Sequence, residues 1–145
     1  MRAVVQRVAS ARVVVDDEIV GEMQSGLLCL VAVRQGDDPA RADEMARKLV
    51  HLRVLPDAQG RMNRSLLDAG GTLGVVSQFT LYGDCSKGRR PFFGDAAAPE
   101  VAEPLLSRLI DSARREGVSV ITGRFGAHMQ VQLTNDGPVT LLLDV

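Results

Sequence analysis

The first 33 residues confine this chain to a fold organised around a β-sheet. "RAVVQRV", "ARVVVDD" and "EIVGEM" are rich in β-branched residues, and they lead into "GLLCLVAV", where Leu27 to Val33 is apolar at every position. A strand wetted on one face alternates apolar and polar residues, whereas an unbroken apolar run needs cover on both faces. "GLLCLVAV" is therefore expected as a central strand, and the short connections around it favour antiparallel pairing. The run is far shorter than the roughly 20 residues of a membrane span. The opening "MRAVVQRVAS" lacks the apolar region and small-residue cleavage site of a signal peptide, so the expected location is cytoplasmic.

Two helices are expected. Asp38 is a candidate N-cap with Pro39 at the first helical position, followed by Ala42, Met45, Leu49 and Leu52 at three- and four-residue spacing. The second starts near Pro99-Glu100, with Val101, Leu105, Leu109 and Ala113 on one face, and stops at Gly117 after Arg114 and Arg115. Between them, "LRVLP" and "LGVVSQFTL" have strand character, and a long loop runs from Tyr82 to about Ala97. "VSVITGRF", "MQVQLTN" and "PVTLLLDV" close the chain as strands, with Met129, Val131 and Leu133 alternating against polar residues. With no repeat or linker, 145 residues form a single domain, 1–145. The expectation is an α+β fold: a curved, barrel-like, mostly antiparallel sheet with two helices against it.

Composition removes several classes of function. Net charge is −1, so nucleic-acid contact needs a local cluster, and Lys87, Arg89 and Arg90 in "SKGRRP" supply the best one. Cys29 and Cys85 show no pairing pattern and are expected as free thiols. Cys29, His51, Cys85 and His128 occur singly, with no HxxxH or CxxC spacing, so no metal or other cofactor is expected. His51 is expected to meet the terminal carbonyls of its helix, and His128 to be a partly buried edge residue. No nucleophile elbow, Walker loop or dinucleotide fingerprint is present.

Two segments carry what chemistry there is. In "SQFTLYGD", Ser77 and Thr80 are hydroxyl candidates, which a regular strand would aim at opposite faces, and neither has an evident base. Where the strand stops pairing, the backbone amides near Phe79 and Thr80 are freed to stabilise an oxyanion. In "TNDGPVT", Asn135-Asp136-Gly137 already suffices for a hairpin turn, and Pro138 directly after glycine is either the start of the next strand or a tool in its own right.

In this order, "MRAVVQRV", "SQFTLYGD", "KGRRPFF" and "TNDGPVT" resemble the D-aminoacyl-tRNA deacylase family along the whole chain. "PFF" after the arginines is a loop variation. The resemblance implies a homodimeric enzyme that hydrolyses the ester of D-aminoacyl-tRNA and of mischarged glycyl-tRNA, with the active site at the subunit interface. It implies that Ser77, Gln78, Phe79 and Thr80 line the pocket, Phe79 through its backbone and Thr80 as nucleophile or as wall. It further implies that Gly137 and Pro138 form a cis bond entering the partner's site and rejecting L residues, with Arg7 holding that loop. Met129 joins these as a substrate-binding candidate, and Lys87, Arg89 and Arg90 are the tRNA contacts. The alternative is a non-catalytic RNA-binding dimer.

Overall fold

A computed structural model describes residues 1–145. Its organising element is β1 (Arg2–Val15), which is paired along both edges. On one edge it meets β2 (Glu18–Met23) and then β3 (Gly26–Ala32), which follow each other antiparallel to it. The turn into β2 is made by Asp16 and Asp17, whose φ angles of 49° and 63° match the right-handed twist of a tight hairpin. Along its other edge lies β8 (Gln130–Asp144), antiparallel from Arg2↔Asp144 to Val14↔Gln130.

β3 is covered on both faces, as its composition requires. Its second neighbour is β6 (Thr72–Ser77), which in turn pairs with β7 (Ser119–Thr122). Both of these pairings are parallel, so the sheet is mixed, whereas short links had suggested antiparallel neighbours. The reason lies in the crossovers: a parallel partner needs a connection long enough to return to the starting end. The first crossover carries α1 (Pro39–His51), a small antiparallel pair β4 (Leu55–Pro56) and β5 (Met62–Arg64), and the one-turn helix α2 (Leu66–Ala69). The second carries α3 (Pro99–Arg115). The sheet curls until β7 approaches β2, where a Cβ on Gly21 would stand 2.6 Å from the Thr122 carbonyl oxygen. The barrel is nearly closed.

Two apolar cores result. The larger lies between the sheet and the long helices, with Val5, Leu27, Cys29, Met45, Leu49, Leu73 and Leu109 fully buried. Burial pushes the Cys29 thiol well above the ordinary cysteine range. The smaller, inside the curl, joins Val8, Ala11, Val13, Met23, Leu28 and Val76. No helix is long and apolar enough to cross a membrane.

The helices begin where expected. Asp38 caps α1, accepting from the Arg41 amide at 3.0 Å, and Pro39 and Pro99 occupy first-turn positions. Val101 departs from the expected buried face and is 48% exposed, because the first turns of α3 overhang a cavity that Ala102 and Leu106 face instead. His51 meets the Glu116 carboxylate at 3.1 Å rather than the carbonyls of its own helix. Asp43 ties α1 to α3: its carboxylate accepts from Arg108 Nε at 3.0 Å and Nη2 at 2.7 Å, and from the Ser112 hydroxyl.

Those hydrogen bonds, Arg108 first and Ser112 second, lower the Asp43 pKa from 3.8 to about 2. A carboxylate depressed in the folded state stabilises fully above its unfolded pKa, and the contribution disappears as pH falls through the folded value. Melting temperature followed from pH 5 to pH 2 should therefore fall less steeply for Asp43→Asn than for the unsubstituted protein. Parallel curves would show that the carboxylate contributes nothing to the acid response.

Candidate active site

Parallel β3 and β6 end on the same side of the sheet, and a cavity of about 500 Å³ opens there. Crevices beyond the carboxyl ends of parallel strands are where loops converge. Here the end of β3 gives Val31 and Val33, the end of β6 gives Val76 and Ser77, α3 gives Ala102 and Leu106, and the β7–β8 connection gives Phe125, His128 and Met129. The wall is mainly apolar, and His128 is the one titratable side chain in it.

"LGVVSQFTL" does not run on as a strand. β6 stops at Ser77, the Gln78 amide makes a last bond to the Val31 carbonyl at 2.8 Å, and Phe79–Tyr82 forms a 3₁₀ turn. The turn's bonds run from the Leu81 amide to Gln78 and from the Gly83 amide to Thr80. The amides of Phe79 and Thr80 precede the first of these and find no acceptor within the turn. Because the chain turns, Ser77 and Thr80 are no longer related by strand alternation. Ser77, Gln78 and Phe79 line the cavity, while Thr80 stands beside it, its hydroxyl accepting from the Gln78 side-chain amide.

The "TNDGPVT" segment is not a hairpin. The residues on either side of it pair with the same edge of β1 in the same direction, Val8↔Asn135 and Gln6↔Thr140, so residues 136–139 bulge out opposite Arg7 alone. Asn135 spans the bulge, donating to the carbonyls of Arg7 at 2.9 Å and Val139 at 3.0 Å in place of ladder bonds. The Arg7 guanidinium reaches the Asp136 carbonyl at 3.1 Å, the Asp136 carboxylate at 3.2 Å and the Val54 carbonyl at 2.8 Å. Gly137 has φ 131°, a region that L side chains rarely adopt, and the Gly137–Pro138 bond is cis. Neither residue lines this chain's own cavity.

One row of apolar residues crosses the sheet toward the cavity. Leu142 of β8 pairs with Val4 of β1, Val4 with Leu30 of β3, and Leu30 with Val76 in the cavity wall. Leu142 is 59% exposed at the outer end. No cluster of three His, Cys, Asp or Glu side chains is arranged to hold a metal ion. Lys87, Arg89 and Arg90 are exposed on the loop that follows the 3₁₀ turn.

The family model described as D-Tyr-tRNA(Tyr) deacylase matches residues 4–144. A D-aminoacyl-tRNA deacylase of Roseiflexus sp. (strain RS-1) is 58% identical over 144 residues, covering 99% of this chain and 93% of that protein. The chain belongs to the D-Tyr-tRNA(Tyr) deacylase family. A D-aminoacyl-tRNA deacylase of Clostridioides difficile (strain 630) is 54% identical over 99% of this chain and 97% of its own length. Among solved structures, one named "c-Myc DNA Unwinding Element Binding Protein" superposes with a TM-score of 0.95 at 36% identity, covering 100% of this chain and 99% of that one. Another, of a probable eukaryotic D-amino acid tRNA deacylase, has a TM-score of 0.84 at 19% identity, covers 99% of this chain and 98% of that one, and shares the fold.

Of the candidate residues in this deacylase-family chain, Ser77, Gln78, Phe79 and Met129 share the cavity. Arg7, Gly137 and Pro138 form a separate surface feature, and Lys87, Arg89 and Arg90 a third. Phe125 and His128 in the wall were missed as site residues, because "GRFGAHM" shows no periodicity or motif and is joined to the cavity only by the curl of the sheet. The bulge yields a direct prediction. Arg7→Lys keeps the charge but cannot reach Val54 and Asp136 together, and should cost about 1–2 kcal/mol in urea denaturation. An unchanged midpoint and slope would show that the guanidinium does not hold the bulge.

Proposed function

We propose that this chain hydrolyses the ester joining a D-amino acid to the terminal adenosine of tRNA, acts likewise on glycyl-tRNA, and leaves L-aminoacyl-tRNA intact as a proofreading step of translation. The observation that carries this reading is membership of the deacylase family from residue 4 to 144, with an apolar cavity lined by Ser77, Gln78 and Phe79 where the 3₁₀ turn begins. The aminoacyl ester is itself activated, by a protonated amine beside the carbonyl and a ribose hydroxyl beside the ester oxygen. Water adds to the carbonyl carbon, the Phe79 and Thr80 amides stabilise the oxyanion, and the ester C–O bond breaks. The proton lost by water goes to the departing ribose oxygen, leaving a free D-amino acid and tRNA. Positioning and backbone hydrogen bonds do the work that acid–base side chains do elsewhere.

Thr80 is a wall in this scheme, since its hydroxyl contacts only the Gln78 amide and no base. The Gly137–Pro138 bulge acts from a second copy of the chain in a homodimer: its carbonyls hold the substrate's amine and fill the space where an L side chain would project. Met129 shapes the pocket, and Lys87, Arg89 and Arg90 contact the tRNA. The apolar row from the exposed Leu142 to the half-buried Val4 and Leu30 supports the dimer, because covering it places a partner beside the cavity wall at Val76. This chemistry belongs in the cytoplasm, where translation supplies the substrate. The exposed basic loop, and the superposition on a structure named for binding a DNA unwinding element, favour a second reading as a nucleic-acid-binding dimer without catalysis.

D-tyrosyl-, L-tyrosyl- and glycyl-tRNA incubated in parallel with the purified protein, with and without chelator, separate these readings. The D and glycyl esters should disappear, the L ester should persist, and the chelator should have no effect. No turnover, with strongly salt-dependent RNA binding, selects the binder. Thr80→Ala should lose less than about 10-fold in rate, whereas a trapped acyl-enzyme would make Thr80 the nucleophile. Leu142→Asp should convert the dimer to a monomer by light scattering and abolish deacylation, and an active monomer would exclude a shared site.

A further inference from the structure

The loop 83–98 has both ends in the cavity wall, Phe79 leading into it and Ala97 and Pro99 leading out. A two-way backbone bridge closes its middle, with the Asp84 amide donating to Phe92 at 2.8 Å and the Phe92 amide to Asp84 at 2.9 Å. Residues 85–91 therefore project as a tip carrying Lys87, Arg89 and Arg90. Neither nearby acid forms a salt bridge with it: Asp84 accepts from the Ser86 amide at 2.8 Å, and Asp95 is paired with Arg34 at 2.8 Å. At the base of the tip is Phe92, 70% exposed, above every other large apolar side chain. Its ring occupies the space over Gly94, where a Cβ would lie 2.2 Å from Cε1. The adjacent Phe93 packs edge-on against Phe79, with centroids 5.1 Å apart. Three rings thus lead from the cavity to the cationic tip.

An exposed aromatic face beside unpaired cations is the arrangement that binds single-stranded nucleic acid, with bases stacking on rings and phosphates meeting the charges. A second copy docking here by two-fold symmetry would oppose like-charged tips. We propose that Phe92 is a stacking platform for an unpaired base of the tRNA 3′ end just outside the cavity, with Lys87, Arg89 and Arg90 neutralising the phosphates around it. This rests on the deacylase reading for what fills the cavity. Phe92 touches no reacting atom, so its effect falls on binding and not on the chemical step.

Phe92→Ala, Phe92→Leu and Phe92→Trp are compared with the unsubstituted protein in two ways. Turnover is measured on D-tyrosyl-tRNA and on D-tyrosyl-adenosine, which has no second nucleotide. Affinity is measured with a fluorescent ACCA oligonucleotide. For Phe92→Ala and Phe92→Leu, KM on the tRNA ester and the Kd for ACCA should rise roughly 10-fold. Their kcat, and all parameters on D-tyrosyl-adenosine, should hold, and Phe92→Trp should restore both losses. Equal losses on both esters, recovery by Leu, or a change of oligomeric mass would overturn the proposal. The affinity measurement needs no turnover. If neither ester is cleaved but Phe92→Ala still weakens ACCA binding, the deacylase reading falls and the platform stands. If both esters are cleaved and ACCA binding is unchanged, the platform alone falls.

Discussion

The backbone of β1 is satisfied on both edges, and the rest of the molecule is fitted to that pairing. One edge needs two shorter strands in succession, β2 and β3, and the break between them lets the sheet turn from covering the helices to lining the curl. The other edge needs β8 along nearly its whole length. Val5 and Val8 illustrate the result: three residues apart on one strand, they lie in opposite cores. The surplus residues of β8 collect at the same point, opposite Arg7. An arginine there can leave its own carbonyl to Asn135 while its fork reaches Asp136 and Val54. The bulge is thus held from three sides, and its tip is free to present backbone.

The parallel strands place the cavity. Because β3 and β6 run the same way, their ends and the loops after them meet, and the early end of β6 at Ser77 brings the 3₁₀ turn to the cavity. A wall with one histidine and little other polar chemistry suits a substrate that carries its own reactive groups.

The helices and the central strand were legible because their signals are local: Asp38-Pro39 for a helix start, and an apolar run for a strand covered twice. Strand partners were not legible, since a two-residue period reports which face is buried and not which edge pairs or in which direction. Hence the parallel pairs came as a correction. "LGVVSQFTL" read as one strand because Phe79 and Leu81 have the right residue types, and only the missing partner beyond Val31 ends it. "TNDGPVT" has the composition of a turn, and tertiary pairing with β1 makes it a bulge. Ser77 and Phe79 stood out in "SQFTLYGD" as a hydroxyl and a backbone amide and Gln78 through motif resemblance, whereas Phe125 and His128 enter only through the curl.

The pairing of Arg2 with Asp144 also sets an order of events. A strand near the start of the chain has a partner near its end, among the most distant contacts in the chain, and such closures slow folding. During synthesis β2 and β3 can dock on β1 at once, but its other edge must wait for β8. For most of translation a row of unpaired amides and carbonyls, flanked by Val4 and Val14, stays open to any extended segment nearby. A protein built this way depends on the speed with which its last strand arrives, and the cell's burden of protecting that edge grows with every pause before it.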